Sequence, residues 1–555
     1  IVPNTQYFIA GKPSFFQGKL TLISPMIEMT NAQLPNARGL LPIYPQTEGI
    51  NSRFLRKVIK SALELSTISD PITANTLTEF SLINQREAYW NIHFPQNQTA
   101  RQSADRRLSF DKHLQINITN QLELSRLGSS PQIHSDPTLF TSFKNILPFT
   151  LTPGQVKVIL KSFEIIESKV PTHTLIQGDT GSGKTVVALA LAIQTISNGF
   201  SFCLLTPTQI LAEQHFETFR KYYFDPKIIQ LVTGKSALKN SDTPQIYIGT
   251  HALLNQLPEN LKSPIAVLTI DEQHKFGVNQ RDLLQKRHPV PHLLNLTATP
   301  IPRTLALGLF GEVNILNIRH RPPGRLPVKT WVISNSRFKN SDDWLRSEIK
   351  SGNKVFVVCP FIDPSSHQEN IKSVLSTHKF YRGKFGSLTK VYLIHGKLKP
   401  KEKTLVLEEF NLAKDGILVA TPLIEVGIDI TTANIMIIHS AERFGLAALH
   451  QLRGRVGRGD RQAFCLIIPS TDEDLEIERL QLLTKYHSGL TLAKLDLKLR
   501  GSGNIAGTAQ HGAFPTRLKY FWDKALFKQA KTLALETISN SPQSALHLLE
   551  SLSKS

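Results

Sequence analysis

Three short stretches of the 555-residue chain combine residue types and spacings that could do chemistry. The first reads Gly178-Asp179-Thr180-Gly181-Ser182-Gly183-Lys184-Thr185, a complete G-x-x-x-x-G-K-T string between an apolar strand-like run from Thr174 and an apolar helix-like run to Ala192. Glycines leave no Cβ in the way, so successive backbone N–H groups can close around phosphate oxygens, and the following helix turns its positive end toward the same anion. Lys184 would then reach the β- and γ-phosphates of ATP, and the Thr185 hydroxyl would take one position on Mg²⁺. The second stretch is Asp271-Glu272-Gln273-His274, about 90 residues further on at the end of the apolar run AVLTI. There Asp271 can hold Mg²⁺ and Glu272 can orient or deprotonate water, which makes γ-phosphate hydrolysis the expected reaction. The third is Gln451-Leu452-Arg453-Gly454-Arg455-Val456-Gly457-Arg458. Helical spacing predicts Gln451, Arg455 and Arg458 on one face, and the two arginines could act as fingers across a cleft.

The elements that must position these groups follow from periodicity. From about residue 145 to 335 the runs HTLIQ, FCLLTP, QIYIGT, AVLTID and LLNLTAT alternate with helical stretches, as buried parallel strands do. A second set follows: KTWVIS, KVFVVCP, KVYLIHG, GILVAT, IMIIHS and AFCLIIP. Two parallel α/β sheets in tandem are therefore expected, only the first with a phosphate loop. Residues 1 to about 62 alternate short apolar runs with Gly, Pro and Asn and predict β-structure. Phe110, Leu114, Ile118 and Leu122 recur every four residues and predict a helix stopping near Gly128. Arg101, Arg106 and Arg107, which precede that run, could meet phosphate, but a solvated helix face is the expectation for each. After about residue 478 the chain turns helical again, broken at Arg500-Gly501-Ser502-Gly503.

Composition narrows the class. Hydrophobic residues make up 41% and charged residues 19%, which describes a soluble globular chain of about three to four domains. No apolar run is long enough to span a bilayer, so no membrane partner is expected; the run Val186 to Ile193 predicts a buried helix. A net charge of +20 needs a partner or a reason; nucleic acid is the commonest partner, and a solubilising surface is the alternative. Cys203, Cys359 and Cys465 lie in separate strand-like runs and predict buried free thiols. The chain begins at Ile1 without Met, which predicts a fragment, with room upstream for a targeting segment.

The phosphate loop, DEQHKFGVNQR (271–281), TATPIPRTLAL (297–307), PPGR (322–325), IEVGIDI (424–430) and ERFGLAALHQLRGRVGRG (442–459) together resemble the superfamily-2 DNA translocases, and among them the RecG branch-migration helicases. The resemblance implies two tandem RecA-like domains, preceded by a partial OB-fold wedge and a helical linker and followed by a helical hairpin. The expected division is 1–62 wedge, 63–145 linker, 146–335 and 336–478 RecA-like domains, and 479–555 hairpin with the C-terminal helix. It also implies that the chain opens midway through the wedge barrel, with the strand-parting tip upstream of Ile1. Phe149 and Gln155 would hold adenine, and Gly427, Asp429 and Gln451 would line the cleft from the second domain. Gln273, His274, Thr297 and Thr299 would relay the nucleotide state. Thr206, Thr208 and Thr250 on the first domain and His395 and Gly396 on the second would track DNA phosphates. Arg500 and Gln510, in DLKLRGSGNIAGTAQHG (496–512), would convert domain closure into movement along duplex DNA. The implied partners are duplex DNA, forks and Holliday junctions; the implied state is a monomer in a bacterial-type cytoplasm, at the nucleoid.

The chain departs from the family pattern at Ser488, where Asp is usual, at Lys494 and Lys498, where Glu is usual, and at Pro422, where Thr is usual. Two other functions fit part of the sequence. A transcription-repair coupling translocase shares the motor, but its acidic string usually reads DEEQ rather than DEQH. A junction-binding scaffold would have little use for Lys184, Asp271, Glu272, Arg455 and Arg458 together.

Overall fold

A computed structural model describes the chain apart from residues 1–4, 17–18, 31–39, 43, 45–50, 127, 223–224, 235, 237, 240, 259–260, 273–288, 299–312, 319–325, 360–366, 422–432, 458–460, 471–473, 501–517 and 555. It divides into two compact units, Ile1–Glu123 with Ser502–Ser555, and Leu124–Gly501. No helix among the described residues is long and apolar enough to cross a membrane.

The first unit opens with an antiparallel hairpin, β1 (Tyr7–Phe16) and β2 (Lys19–Met29), whose register shifts between Ala10 and Lys12. Helices follow at Ser52–Leu65, Ala74–Glu79, Gln85–His93 and Gln98–Arg126. The first of these starts inside the stretch expected to be β-rich as far as residue 62. Asn51 is the reason: its side-chain oxygen accepts the Phe54 N–H at 2.9 Å and caps the helix. Phe110, Leu114, Ile118 and Leu122 are buried as their spacing predicts, and they share a core with Leu526, Ala530 and Ala545 of the C-terminal helices. That long helix ends at Arg126, two residues before Gly128.

The second unit holds both parallel sheets. The first contains β3 (His173–Gly178), β4 (Ser201–Leu205), β5 (Ile229–Val232), β6 (Ile246–Gly249), β7 (Ile265–Asp271), β8 (His292–Thr297) and β9 (Asn314–Ile318). Their order is β5-β6-β4-β7-β8-β3-β9. The five runs expected from sequence are its interior; the added β5 and β9 are its edges. Registers Gln177↔Thr297 and Asp271↔Leu296 bring the carboxyl ends of β3, β8 and β7 level. Ligands of open parallel sheets bind at that edge.

Helix Lys184–Ser197 is buried at every position from Val186 to Thr195, and each large aliphatic side chain there contributes about 1.5–3 kcal/mol. It is walled in by the sheet and helix Pro153–Ile166, with which it shares one core. This burial explains why the run has no polar face.

The second sheet contains all six expected strands: β10 (Lys329–Val332), β11 (Lys354–Val358), β12 (Val391–Ile394), β13 (Gly416–Ala420), β14 (Ala433–His439) and β15 (Phe464–Ile468). They run parallel in the order β10-β15-β14-β11-β13-β12. The three cysteines are buried free thiols, as expected.

Arg107 is not on a solvated face. It lies three residues before Phe110 on the buried side of helix Gln98–Arg126 and is fully buried. Its guanidinium donates to Asp70 at 2.7 and 2.8 Å, to Asp111 at 2.8 Å and to the Ile83 carbonyl at 2.8 Å. Asp70 also accepts the N–H groups of Ile72 and Gln85, so this cluster fastens residues 70–85 to the long helix. Burial would raise the Asp70 carboxyl, but its bonds to Arg107 and the backbone hold it below the usual carboxylate range. Removing the guanidinium leaves the buried Asp111 and the partly buried Asp70 without their cation, so Arg107→Leu should destabilise this unit by about 3–5 kcal/mol in urea unfolding. A shift below about 1 kcal/mol would show that the cluster is not what joins these segments.

Candidate active site

The phosphate loop joins β3 to helix Lys184–Ser197. Gly181 and Gly183 lie at φ +75° and +83°, where L side chains rarely fit. A Cβ on Gly183 would also collide with the side-chain amide of Gln155. Lys184 donates through Nζ to the carbonyls of Gly178 at 2.7 Å and Asp179 at 3.3 Å. Burial pushes its pKa down, against the pull of Glu272, Asp271 and Asp179. Thr180, Gly181, Lys184 and Thr185 open onto a cleft of about 840 Å³.

Gln155 is buried and hydrogen-bonded to two neighbouring segments. Its Oε1 accepts the Thr152 N–H at 2.8 Å, completing a capping box, and its Nε2 donates to the Ser182 carbonyl at 2.9 Å. The amide therefore braces the phosphate loop from behind. Phe149 is 48% exposed.

Asp271 ends β7 and Glu272 follows at φ +52°, a left-handed backbone that costs a non-glycine residue about 1–3 kcal/mol. The turn is pinned by the Glu272 N–H on the Leu296 carbonyl at 2.9 Å and the Ala298 N–H on Glu272 Oε1 at 3.3 Å. Burial alone would lift the Asp271 carboxyl, yet His215 hydrogen-bonds it at 3.0 Å and Lys184 and Arg455 lie near, so it is held below its ordinary value. Glu272 moves the other way, raised first by burial and then by the charge of Asp271. Adjacent carboxyls pushed apart in this manner provide one fixed anion and one group able to exchange a proton.

The second sheet's part of the unit closes the cleft with Thr404, Leu407, Glu408 and Arg455. Gln451 is half-buried on helix Leu446–Arg453, but the helix stops at Gly454, so the expected single helical face through 458 does not form. Gly457 at φ +73° follows, and Arg455 sits in the turn between, its N–H on the Leu452 carbonyl. Arg455 nonetheless acts on Lys184, Asp271 and Glu272 through its charge. Contact across the cleft is direct: His450 Nε2 lies 3.1 Å from Asp179 Oδ1, and Arg453 donates to His450 Nδ1 at 2.8 Å.

Among the phosphate-tracking candidates, Thr206 is fully buried and turns its hydroxyl inward, to the carbonyls of Thr208 and Gly249. It shapes its loop and cannot present that hydroxyl to DNA. Thr208 accepts the Leu211 N–H, and Thr250 opens helix His251–Gln256. Gly396 is exposed beside the half-buried His395, and Lys403 donates to the Gly396 carbonyl at 3.2 Å. Thr297 is buried at the end of β8. Gln273, His274, Thr299, Gly427, Asp429, Arg458 and Gln510 lie outside the described residues, as do Pro422 and the side chains of Lys498 and Arg500. Two residues near the cleft had not been singled out from sequence, His215 and His450. His215 is a polar residue on an otherwise apolar helical stripe, which is the signal that could have found it; His450 shares its buried face with Arg453 and carries no such signal.

Tandem RecA-like lobes around a phosphate loop, with an arginine facing it from the second lobe, define an ATP-driven helicase motor. Residues 152–307 match the DEAD/DEAH box helicase model and residues 338–460 the helicase conserved C-terminal domain. The ATP-dependent DNA helicase RecG of Streptococcus pneumoniae is 35% identical over 487 residues, covering 85% of this chain and 72% of that protein. The RecG helicase of Synechocystis is 36% identical over 89% of this chain, which spans only 61% of that relative's length. A solved structure of RecG bound to a three-way DNA junction superposes with a TM-score of 0.73 at 29% identity, over 94% of this chain and 70% of the other. The chain belongs to the RecG family of ATP-dependent DNA helicases.

Proposed function

We propose that the chain is an ATP-dependent double-stranded DNA translocase that drives branch migration of Holliday junctions and regression of stalled forks. The observation that carries this is the convergence of Lys184, Asp271 and Glu272 with Arg455, contributed by the other lobe, on one cleft. Lys184 and the loop amides of 178–185 bind the β- and γ-phosphates. Asp271 stays ionised, and Glu272 orients the attacking water and takes its proton. Arg455, with Arg458, neutralises charge developing on the γ-phosphate, so hydrolysis depends on lobe closure. Phe149 and Gln155 hold adenine by stacking and hydrogen bonding, and Gly427, Asp429 and Gln451 line the second-lobe wall.

Among the described residues no three His, Cys, Asp or Glu side chains form a metal cluster. The oxygen donors Thr185 and Asp271 beside the phosphate loop do fit Mg²⁺, which takes one or two protein oxygens and completes its shell with phosphate and water. Bound there, the ion would neutralise phosphate charge. Thr208, Thr250, His395 and Gly396 meet the DNA backbone, with Gln273, His274, Thr297 and Thr299 relaying the nucleotide state and Arg500 and Gln510 converting closure into a step. The chain's net charge of +20 and the junction-bound relative support a branched DNA partner. The expected divisions at residues 145, 335 and 478, with the first moved ahead of helix Ser52–Leu65, a monomeric state and a cytoplasmic site complete the proposal.

The test is ATP turnover with no DNA and with single-stranded, duplex, forked and four-way DNA, using RNA as a control. Forked and four-way DNA should stimulate most, and Lys184→Ala should lower stimulated turnover by about 10²–10³ while leaving junction binding intact. Equal rates with and without DNA would reject the proposal. Because Glu272 must be ionised to accept a proton, turnover should fall as pH drops through its raised pKa, above the usual carboxylate value of about 4.3. Glu272→Gln should cost about 10²–10⁴ in turnover and remove that acid limb; a retained limb would assign it to another group.

A further inference from the structure

Helix Gln209–Tyr222 carries a polar group that its packing does not require. Its buried stripe is Leu211, Ala212, His215 and Phe219, three apolar residues and an imidazole. His215 is 7% exposed and its Nε2–H donates to Asp271 Oδ2 at 3.0 Å, with Asp271 itself 9% exposed. The helix grows directly out of the loop Thr206-Pro207-Thr208. Thr206 donates its N–H to the Gly249 carbonyl at 2.9 Å, which ties that loop to the one carrying Thr250. Thr208 Oγ1 accepts the Leu211 N–H at 3.3 Å, fixing the loop to the first turn. From Thr208 to His215 is about 10 Å of stiff helix. The two loops and the carboxylate leave neighbouring strands, Leu205 pairing with Gly249 and with Ile270, and the imidazole adds the side-chain link from the helix to Asp271 itself.

We propose that His215 is a positioning residue through which the 206–208 and 249–250 loops control the carboxylate of Asp271. This rests on the reading of those loops as DNA-contacting. A carboxylate's terminal torsion is broad, so its orientation is set by whatever hydrogen-bonds it. Hydrogen bonds weaken steeply with distance and angle, so a small shift of the helix changes the hold on Asp271. DNA seated on the loops fixes the helix, and His215 then holds Asp271 in its productive orientation. A leucine at this position would fill the stripe equally well but would sever that connection.

The experiment compares the full chain with His215→Ala and His215→Gln, the latter because its amide restores a donor near the position of Nε2. Measured are turnover with and without forked DNA, affinity for forked DNA, and affinity for Mn²⁺ in the presence of ADP by electron paramagnetic resonance. His215→Ala should lose most of the stimulation by DNA and bind Mn²⁺ several-fold more weakly, with DNA affinity unchanged. His215→Gln should recover both. If His215→Ala keeps full stimulation and Mn²⁺ affinity, the proposal is overturned. It is equally overturned if both variants lose stimulation to the same extent with Mn²⁺ affinity intact, since that pattern belongs to helix packing. A parent chain that DNA does not stimulate would overturn the functional reading and this proposal with it.

Discussion

Lys184, Asp271, Glu272 and Arg455 line one cleft, and the first three are buried charges, none of which could be held there alone. Removing an ion from water costs several kcal/mol unless opposite charge and hydrogen bonds replace the solvent. Three of the four belong to the first lobe and Arg455 to the second, so the electrostatics of the cleft involve both lobes. The phosphate loop depends on this balance, because Lys184 is stabilised by the carboxyls that Arg455 in turn moderates. Nucleotide phosphates entering such a site redistribute charge across both lobes at once. That is the physical basis for linking hydrolysis to lobe movement.

Around this centre the scaffold is over-determined. The level carboxyl ends of β3, β8 and β7 fix the distance between loop and carboxylates. Gln155 braces the loop from one side, and His450 meets it from the other lobe. The strained backbone of Glu272, held by Leu296 and Ala298, is tolerated because neighbouring strands pin both sides of it. Binding energy need not be used to assemble these groups.

Much of this was legible in the sequence for a local reason. Interior parallel strands are apolar on both faces, and the phosphate loop needs its glycines in fixed order, so both leave an unbroken signature. Edge strands β5 and β9 escaped because they are short and only half covered, which dilutes the pattern. Helical spacing from 451 onward misled because the helix stops at Gly454, yet Arg455 still lines the cleft, from a turn. The partners of Arg107, His215 and Thr206 were unreadable for a different reason. Each of these three residues is polar but buried by a partner far away in sequence, Asp70, Asp271 and Gly249, and such pairings exist only once the chain has folded.

The claim that one lobe completes the other's active site is tested most directly by Arg455→Ala, comparing turnover with nucleotide affinity on forked DNA. A group that acts on the transition state should cost about 10³-fold or more in turnover while affinity hardly changes. Retained turnover, or a loss confined to affinity, would mean that Arg455 merely binds and that the second lobe takes no part in the chemistry.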